Sequence, residues 1–195
     1  VIGGLTGSGQ SLARVDVLDM DQQKFVQHPF GKSFASLPYA VHGAGAVALG
    51  DDIYVLGGAT GGKAKKGVFR YDYDLNAWVD YAVGQPDVKL PPLPNNADSV
   101  GASVNTMQGR IHYCFGQNGN SVADACYRLD LYGEPGEDTD APLAWEKLSM
   151  GGVGKDVKPV AKAATVMVRG QTLSFGGITS NGKALKQTYM YSYCF

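Results

Sequence analysis

Several absences narrow the field before any motif is read. Charge of one sign is not in excess: 17 Lys and Arg against 18 Asp and Glu leave a net charge of −1, so composition gives no reason to expect nucleic acid or a membrane surface as partner. Apolar runs are short and broken by glycine, which excludes a membrane-spanning helix. The first nine residues lack the basic start and long apolar stretch of a signal peptide, and they lack an initiator methionine, so the sequence is expected to begin inside a longer product. Histidine occurs only at His28, His42 and His112, with neither the i, i+4 spacing nor the Cys/His spacing of a zinc site. No Gly-x-Ser-x-Gly elbow and no phosphate loop ending in Lys-Ser/Thr occurs. The glycine-rich start at 3–9 leads into no helix, which argues against a phosphate cradle. Neither a catalytic residue nor a cofactor is therefore assigned.

Cysteine is scarce, with three in 195 residues. Cys114 and Cys126 flank a loop, where they could face each other across a hairpin and bond or serve as two small apolar strand residues. Cys194 stays unpaired in either case. This usage leans towards a reducing, cytoplasmic setting without fixing the compartment. No window sustains an apolar period of 3.6, whereas 27 glycines and 11 tyrosines punctuate short β-rich runs, the pattern of an all-β chain.

What is abundant is a repeat. An apolar strand ends in a glycine doublet, and a polar loop, a strand with Tyr or Asp and an aromatic residue follow. The copies read Val1-Ile2-Gly3-Gly4 with Val15 to Asp19 and Phe25; Ile53 to Gly58 with Val68 to Asp72 and Trp78; Ile111 to Gly116 with Cys126 to Asp130 and Trp145; and Thr172 to Gly177 with Tyr189 to Ser192. Taking Gly3, Gly57, Gly116 and Gly176 as equivalent, the copies lie 54, 59 and 60 positions apart. A further strand candidate and a short turn precede the second, third and fourth doublets, giving four strands per full unit. Trp78 and Trp145 have the bulk to fill the wedge between packed sheets.

These units resemble Kelch repeats, the second most fully, with IYVLGG, VFRYDYDLNAW and the proline link LPPLP. The third departs at Gly116-Gln117 and carries an insertion before Trp145; the fourth has Ser192 where the family pattern has Asp. The resemblance implies a Kelch-type β-propeller, with blade units at about 1–30, 38–83, 98–149 and 160–195 of three, four, four and three strands. The incomplete first and last units do not complement each other, which leads us to expect an open arc. Its bare edges would be covered by missing blades or another chain. A compact ring of four blades is the alternative.

Among relatives of this fold, copper radical oxidases need a Cys–Tyr crosslink with a further Tyr and two His, a set that cannot be assembled here. The iron motif of plant specifier proteins is not matched either, because Pro142 stands where His is needed after 134–138. The resemblance instead implies a binding face made by the loops between second and third strands (5–10, 59–67, 117–123 and 178–186) together with the links between units. Lys63, Lys65, Lys66 and Lys183 give this face a basic character, and Asn118, Asn120 and Asn181 offer hydrogen bonds to a partner backbone. The opposite face should hold an acidic insertion with Glu134, Glu137, Asp138 and Asp140. The leading expectation is a non-catalytic scaffold that binds a protein or acidic peptide through the loop face. A propeller enzyme of oxidase or sugar-modifying type, with its catalytic residues elsewhere, and a structural subunit of a large assembly are the competing readings.

Overall fold

Glycine doublets and β-branched runs dictate a chain that must turn every few residues, and hairpins are the result. The computed structural model describes residues 1–29, 33–94, 101–118, 121–123, 125–132, 142–148, 160–168, 171–179 and 181–192, with no helix among them. A first sheet pairs β1 (Val17–Asp19) with β2 (Lys24–Val26), preceded by a bridge from Ile2 to Val15. The second sheet is β3 (Gly45–Leu49), β4 (Asp52–Leu56), β7 (Val68–Asp72) and β8 (Ala77–Val79) in sequence order; a small hairpin, β5 (Ala59–Thr60) and β6 (Lys63–Ala64), sits in its central loop. A second hairpin, β9 (Tyr81–Ala82) and β10 (Gln85–Lys89), leads out of it. The third sheet repeats the plan with β11 (Ser103–Met107), β12 (Arg110–Cys114), β15 (Cys126–Asp130) and β16 (Trp145–Leu148), and its central loop pairs β13 (Gln117–Asn118) with β14 (Ser121–Val122). The fourth has β17 (Ala164–Val168), β18 (Gln171–Phe175) and β19 (Thr188–Ser192). All pairs are antiparallel, and the sheets stand in series without closing on themselves.

Two devices hold the series together. The first strands, β3, β11 and β17, lie side by side. Gly45 is required there because a Cβ would lie 2.1 Å from Val104 Cγ2, and the Thr106 hydroxyl donates to the Ala48 carbonyl at 3.1 Å. The second device is an apolar core between the second and third sheets: Tyr54, Leu56 and Val68 meet Ile111, Tyr113 and Tyr127, with Leu90 and Leu93 of the connecting segment between them. Burying a side chain of this kind contributes about 1.5–3 kcal/mol.

The glycine doublet proves to be a steric requirement. Gly58 has φ +84° and a Cβ on it would fall 2.3 Å from Val41 Cγ2 and 2.8 Å from the His42 carbonyl oxygen; Gly177, at φ +91°, would meet the Ala161 carbonyl at 2.7 Å. The doublets of the second and fourth sheets therefore press against the segment that opens their own sheet, where His42 and Ala59, and likewise Ala161 and Ile178, exchange backbone hydrogen bonds. The third copy corrects the sequence register. Cys114 pairs with Cys126 as Leu56 pairs with Val68, so Phe115 and Gly116 stand where the doublet does. Phe115 takes φ 63° in the first glycine's place, a backbone cost of about 1–2 kcal/mol. Its ring packs with Cys114, Cys126 and Leu148, burial that offsets the cost.

Trp78 and Trp145 are half-buried between sheets. Each indole N–H donates to a carbonyl of the link that precedes its own sheet, Trp78 to Ala35 at 2.9 Å and Trp145 to Pro91 at 3.0 Å. Asn76 reinforces the first latch: its amide donates to Ser33 O, and its Oδ1 accepts from Ala35 N and the Tyr71 hydroxyl. Both tryptophans thus serve the fold.

Candidate functional site

Register places the loops between second and third strands at one end of the sheets, because Leu56–Val68, Cys114–Cys126 and Phe175–Thr188 are the pairs from which they spring. Loops 57–67, 115–125 and 176–187 hold five lysines, Lys63, Lys65, Lys66, Lys183 and Lys186, against one carboxylate, Asp124, which lies outside the described residues. Lys63 stands at the tip of the β5–β6 hairpin and is exposed, as are Lys183 and Lys186. Lys65 and Lys66 are half-buried. The Lys65 ammonium lies 5.2 Å from the centre of the Tyr39 ring, a cation–π arrangement that fixes its long stem, while its backbone N–H donates to Gly58 O. The Lys66 carbonyl accepts from Leu93 N. These cations therefore sit on tethered backbone rather than on a loose loop.

The asparagines divide. Asn181 Oδ1 accepts from the Thr179 hydroxyl inside its own turn, so this side chain already has a local partner. Asn118 lies on β13, paired with Ser121, and Asn120 falls outside the described residues. Of the link lysines, Lys89 is tied to Asp80 at 2.7 Å, and Lys32, Lys155 and Lys158 are outside the described residues.

The other end of the sheets is acidic in more units than the sequence indicated. Its turns carry Asp21, Asp51 and Asp74, and strands arrive there on Asp19, Asp52, Asp72 and Asp130. In the first three sheets an Asp at the end of the strand caps the turn that follows: Asp19 accepts from Gln22 N, Asp72 from Leu75 N and Asp130 from Tyr132 N. The expected insertion acids, Glu134, Glu137, Asp138 and Asp140, lie outside the described residues. Ion pairs run inward from this end, with Arg70 on Asp52 and Asp72 at 2.9 and 3.2 Å, Arg110 on Asp130 at 2.6 Å and Arg128 on Glu146 at 2.6 Å. Apart from Arg70 and Asp72, which share β7, the partners come from different strands, so the sequence shows no spacing for this lattice.

Behind the arginines of the third sheet, His112 is 1% exposed. Burial lowers it to about 4, helped by the charges of Arg128 and Arg110, so the ring is neutral at pH 7. In the register-equivalent place on the second sheet, burial pushes the Tyr54 hydroxyl well above its ordinary range, with Asp52 adding to the effect. Both groups belong to the packing between sheets. His42 Nδ1 is 2.9 Å from the Ser11 hydroxyl and His28 Nε2 is 3.1 Å from Tyr73 O. Among the described residues no three His, Cys, Asp or Glu side chains gather into a metal-holding group. Cys114 and Cys126 are directly opposed on β12 and β15, with Cα atoms 4.1 Å apart and their sulfurs bonded. A cavity of about 980 Å³ opens between the first and second sheets. Ile2, Val15 and Val17 form one apolar wall and Ile53, Tyr71 and Trp78 the other.

The family model of the Kelch motif matches residues 40–82, the second sheet with its approach and exit. The fold is that of a solved protein, "Structure of YjhT", a Kelch-type propeller, with a TM-score of 0.62 and 18% identity over 91% of this chain. The chain spans only about half, 55%, of that protein's chain. No curated protein matches the sequence.

Proposed function

We propose that this chain of Kelch-type propeller blades, with blade units at 1–30, 38–83, 98–149 and 160–195, is a non-catalytic scaffold that captures an acidic protein segment on its loop face. One observation carries the reading: the loops between second and third strands gather five lysines and a single carboxylate, while turns of the first and second sheets at the other end carry Asp21, Asp51 and Asp74. A near-neutral chain sorted this way offers a local positive field that steers an acidic partner onto one face and disfavours the other. Lys63, Lys183 and Lys186 are exposed contacts, and Lys65, held over Tyr39, is the ordered one.

The reading is tested with a fluorescent Glu/Asp-rich peptide titrated into the purified chain. Binding should weaken steeply between 50 and 200 mM salt, as charge-steered association does (Debye length falling to roughly 8 Å at 0.15 M). The triple substitution Lys63→Glu, Lys65→Glu, Lys66→Glu should abolish it. The pair Lys63→Glu and Lys183→Glu, both exposed, should weaken it at least tenfold with an unchanged melting temperature. Capture that survives the triple variant, or that is insensitive to salt, discards the proposal.

A further inference from the structure

We infer that Lys162 is the contact on the loop face that receives a carboxylate of the captured acidic segment, an assignment that rests on the scaffold reading above. The observation is a strained backbone position that two other units fill with glycine. Gly45, Ser103 and Ala164 are equivalent, because they pair with Leu56, Cys114 and Phe175. Two residues before them stand Gly43, Gly101 and Lys162. All three take left-handed backbone, at φ 62°, 63° and 57°. The Gly101 N–H donates to Gly43 O at 2.7 Å and the Lys162 N–H to Gly101 O at 2.8 Å, so this conformation is part of the stitch from one unit to the next. Glycine meets the demand freely, and a residue with a Cβ does not.

Nothing local compensates the lysine. Among the described residues, the other non-glycine positions with positive φ are Gln23, Asn76 and Gln108, which sit in hairpin turns, and Phe115, whose ring is buried. Lys162 has neither setting. It is exposed, it precedes β17 outside any hairpin turn, and none of the ion pairs among the described residues involves it. Strain kept without a packing return points to function.

The side chain is also placed. Lys162 Cγ stands 2.8 Å from where a Cβ on Gly101 would lie, so the stem lies back across the preceding unit, and glycine at 101 admits it. Contacts with the third unit therefore fix this cation, whatever follows the fourth sheet. It is also at the end where the lysine loops spring, since Ala164 faces Phe175 and Phe175 faces Thr188. Single bridges from Ala161 to Ile178 and from Ile178 to Ala184 join the neighbour of Lys162 to the neighbour of Lys183, a ladder about 10 Å wide. Lys162 thus adds an inner cation, on the side where β3, β11 and β17 lie together, to the outer lysines of the loops. An ammonium placed in advance receives a carboxylate at a lower ordering cost than one on a loose loop.

The fluorescent Glu/Asp-rich peptide, titrated into the 195-residue chain with melting temperature read on the same samples, tests this. Lys162→Gly should melt higher than the wild type, by up to about 8 °C, and bind the peptide about tenfold more weakly. Lys162→Gln keeps the stem and the strain without the charge, so it should bind as weakly as Lys162→Gly and melt within about 2 °C of the wild type. Lys24→Gln, which removes an exposed lysine at the acidic end, should leave capture unchanged. Capture that stays within about threefold of wild type in both substitutions at 162 overturns the inference and leaves the scaffold reading standing. A wild type without salt-sensitive capture overturns both. An equal loss in Lys24→Gln would reduce the effect to net charge and overturn the assignment, and so would a Lys162→Gly variant that melts below the wild type, because the strain argument then fails.

Discussion

Adding one methyl group at Gly58 isolates what the glycine doublet does. At φ +84° an alanine incurs the cost of the left-handed region, about 1–2 kcal/mol. Its Cβ would also stand 2.3 Å from Val41 Cγ2, 2.8 Å from the His42 carbonyl oxygen and 3.0 Å from Ala44 Cβ. The carbonyl belongs to the backbone pair between His42 and Ala59, so relief requires moving the strand that opens the sheet. Overpacking of this kind costs about 1–3 kcal/mol more. Gly62 is the internal control: its φ is +76° with nothing within 4 Å, so Gly62→Ala carries only the backbone term. For a chain of this size each kcal/mol moves the melting temperature by about 2–4 °C. Gly58→Ala should lose about 4–20 °C in a calorimetric scan and Gly62→Ala about 2–8 °C. The gap between the variants measures the close approach. Equal losses would falsify the claim that the doublet is there for contact as well as for backbone freedom, and would reduce it to a turn preference.

Further outcomes follow from the third sheet. His112 lies near 4 when folded and about 6.5 when unfolded. Its contribution is complete above pH ~6.5 and drains as pH falls towards 4, by up to about 3 kcal/mol. Unfolding free energies from urea titration of the wild type at pH 7 and pH 4.5 should differ by about that much more than those of His112→Phe; parallel pH profiles would remove His112 from the account. The bonded Cys114–Cys126 pair closes a short loop, worth about 3 kcal/mol in the chain-entropy model. Thiol titration of the unfolded, unreduced chain should find one reactive group, rising to three after reduction, and Cys114→Ala with Cys126→Ala should melt several degrees lower. Three thiols before reduction would show the pair to be open in solution.

The repeat was readable because its physics is local. Doublets, β-branched runs and an aromatic at a fixed offset recur within each unit, so the all-β propeller class followed from Ile53 to Trp78 almost alone. Register in the third unit was not readable. Only packing against Cys126 and Leu148 lets Phe115 hold a glycine conformation, and that packing is non-local. The strand Gln85–Lys89 leaves no such signal, because Pro86 and Asp87 disfavour a strand; as an edge strand with a shifted register it tolerates both. The latch from Trp78 to Ala35 spans 43 positions and the Arg70 bridge to Asp52 joins separate strands, so neither leaves a spacing signature. Within the candidate site, sequence placed the lysines on the same loops but not the Tyr39 ring beneath Lys65 or the turn that occupies Asn181.

The sorting of charge to opposite ends of the sheets has a practical corollary for handling the molecule. Net charge, −1 with an isoelectric point near 6.3, suggests weak retention on any ion exchanger at neutral pH. A resin bead, however, meets one side of a protein at a time, within roughly a Debye length. The lysine loops should anchor the chain to a sulfonate matrix and the aspartate turns to a quaternary amine matrix under the same buffer, each in its own orientation. Immobilised on the first, the molecule presents its acidic turns outwards; on the second, its lysine loops. Choice of support thereby decides which side a binding partner encounters.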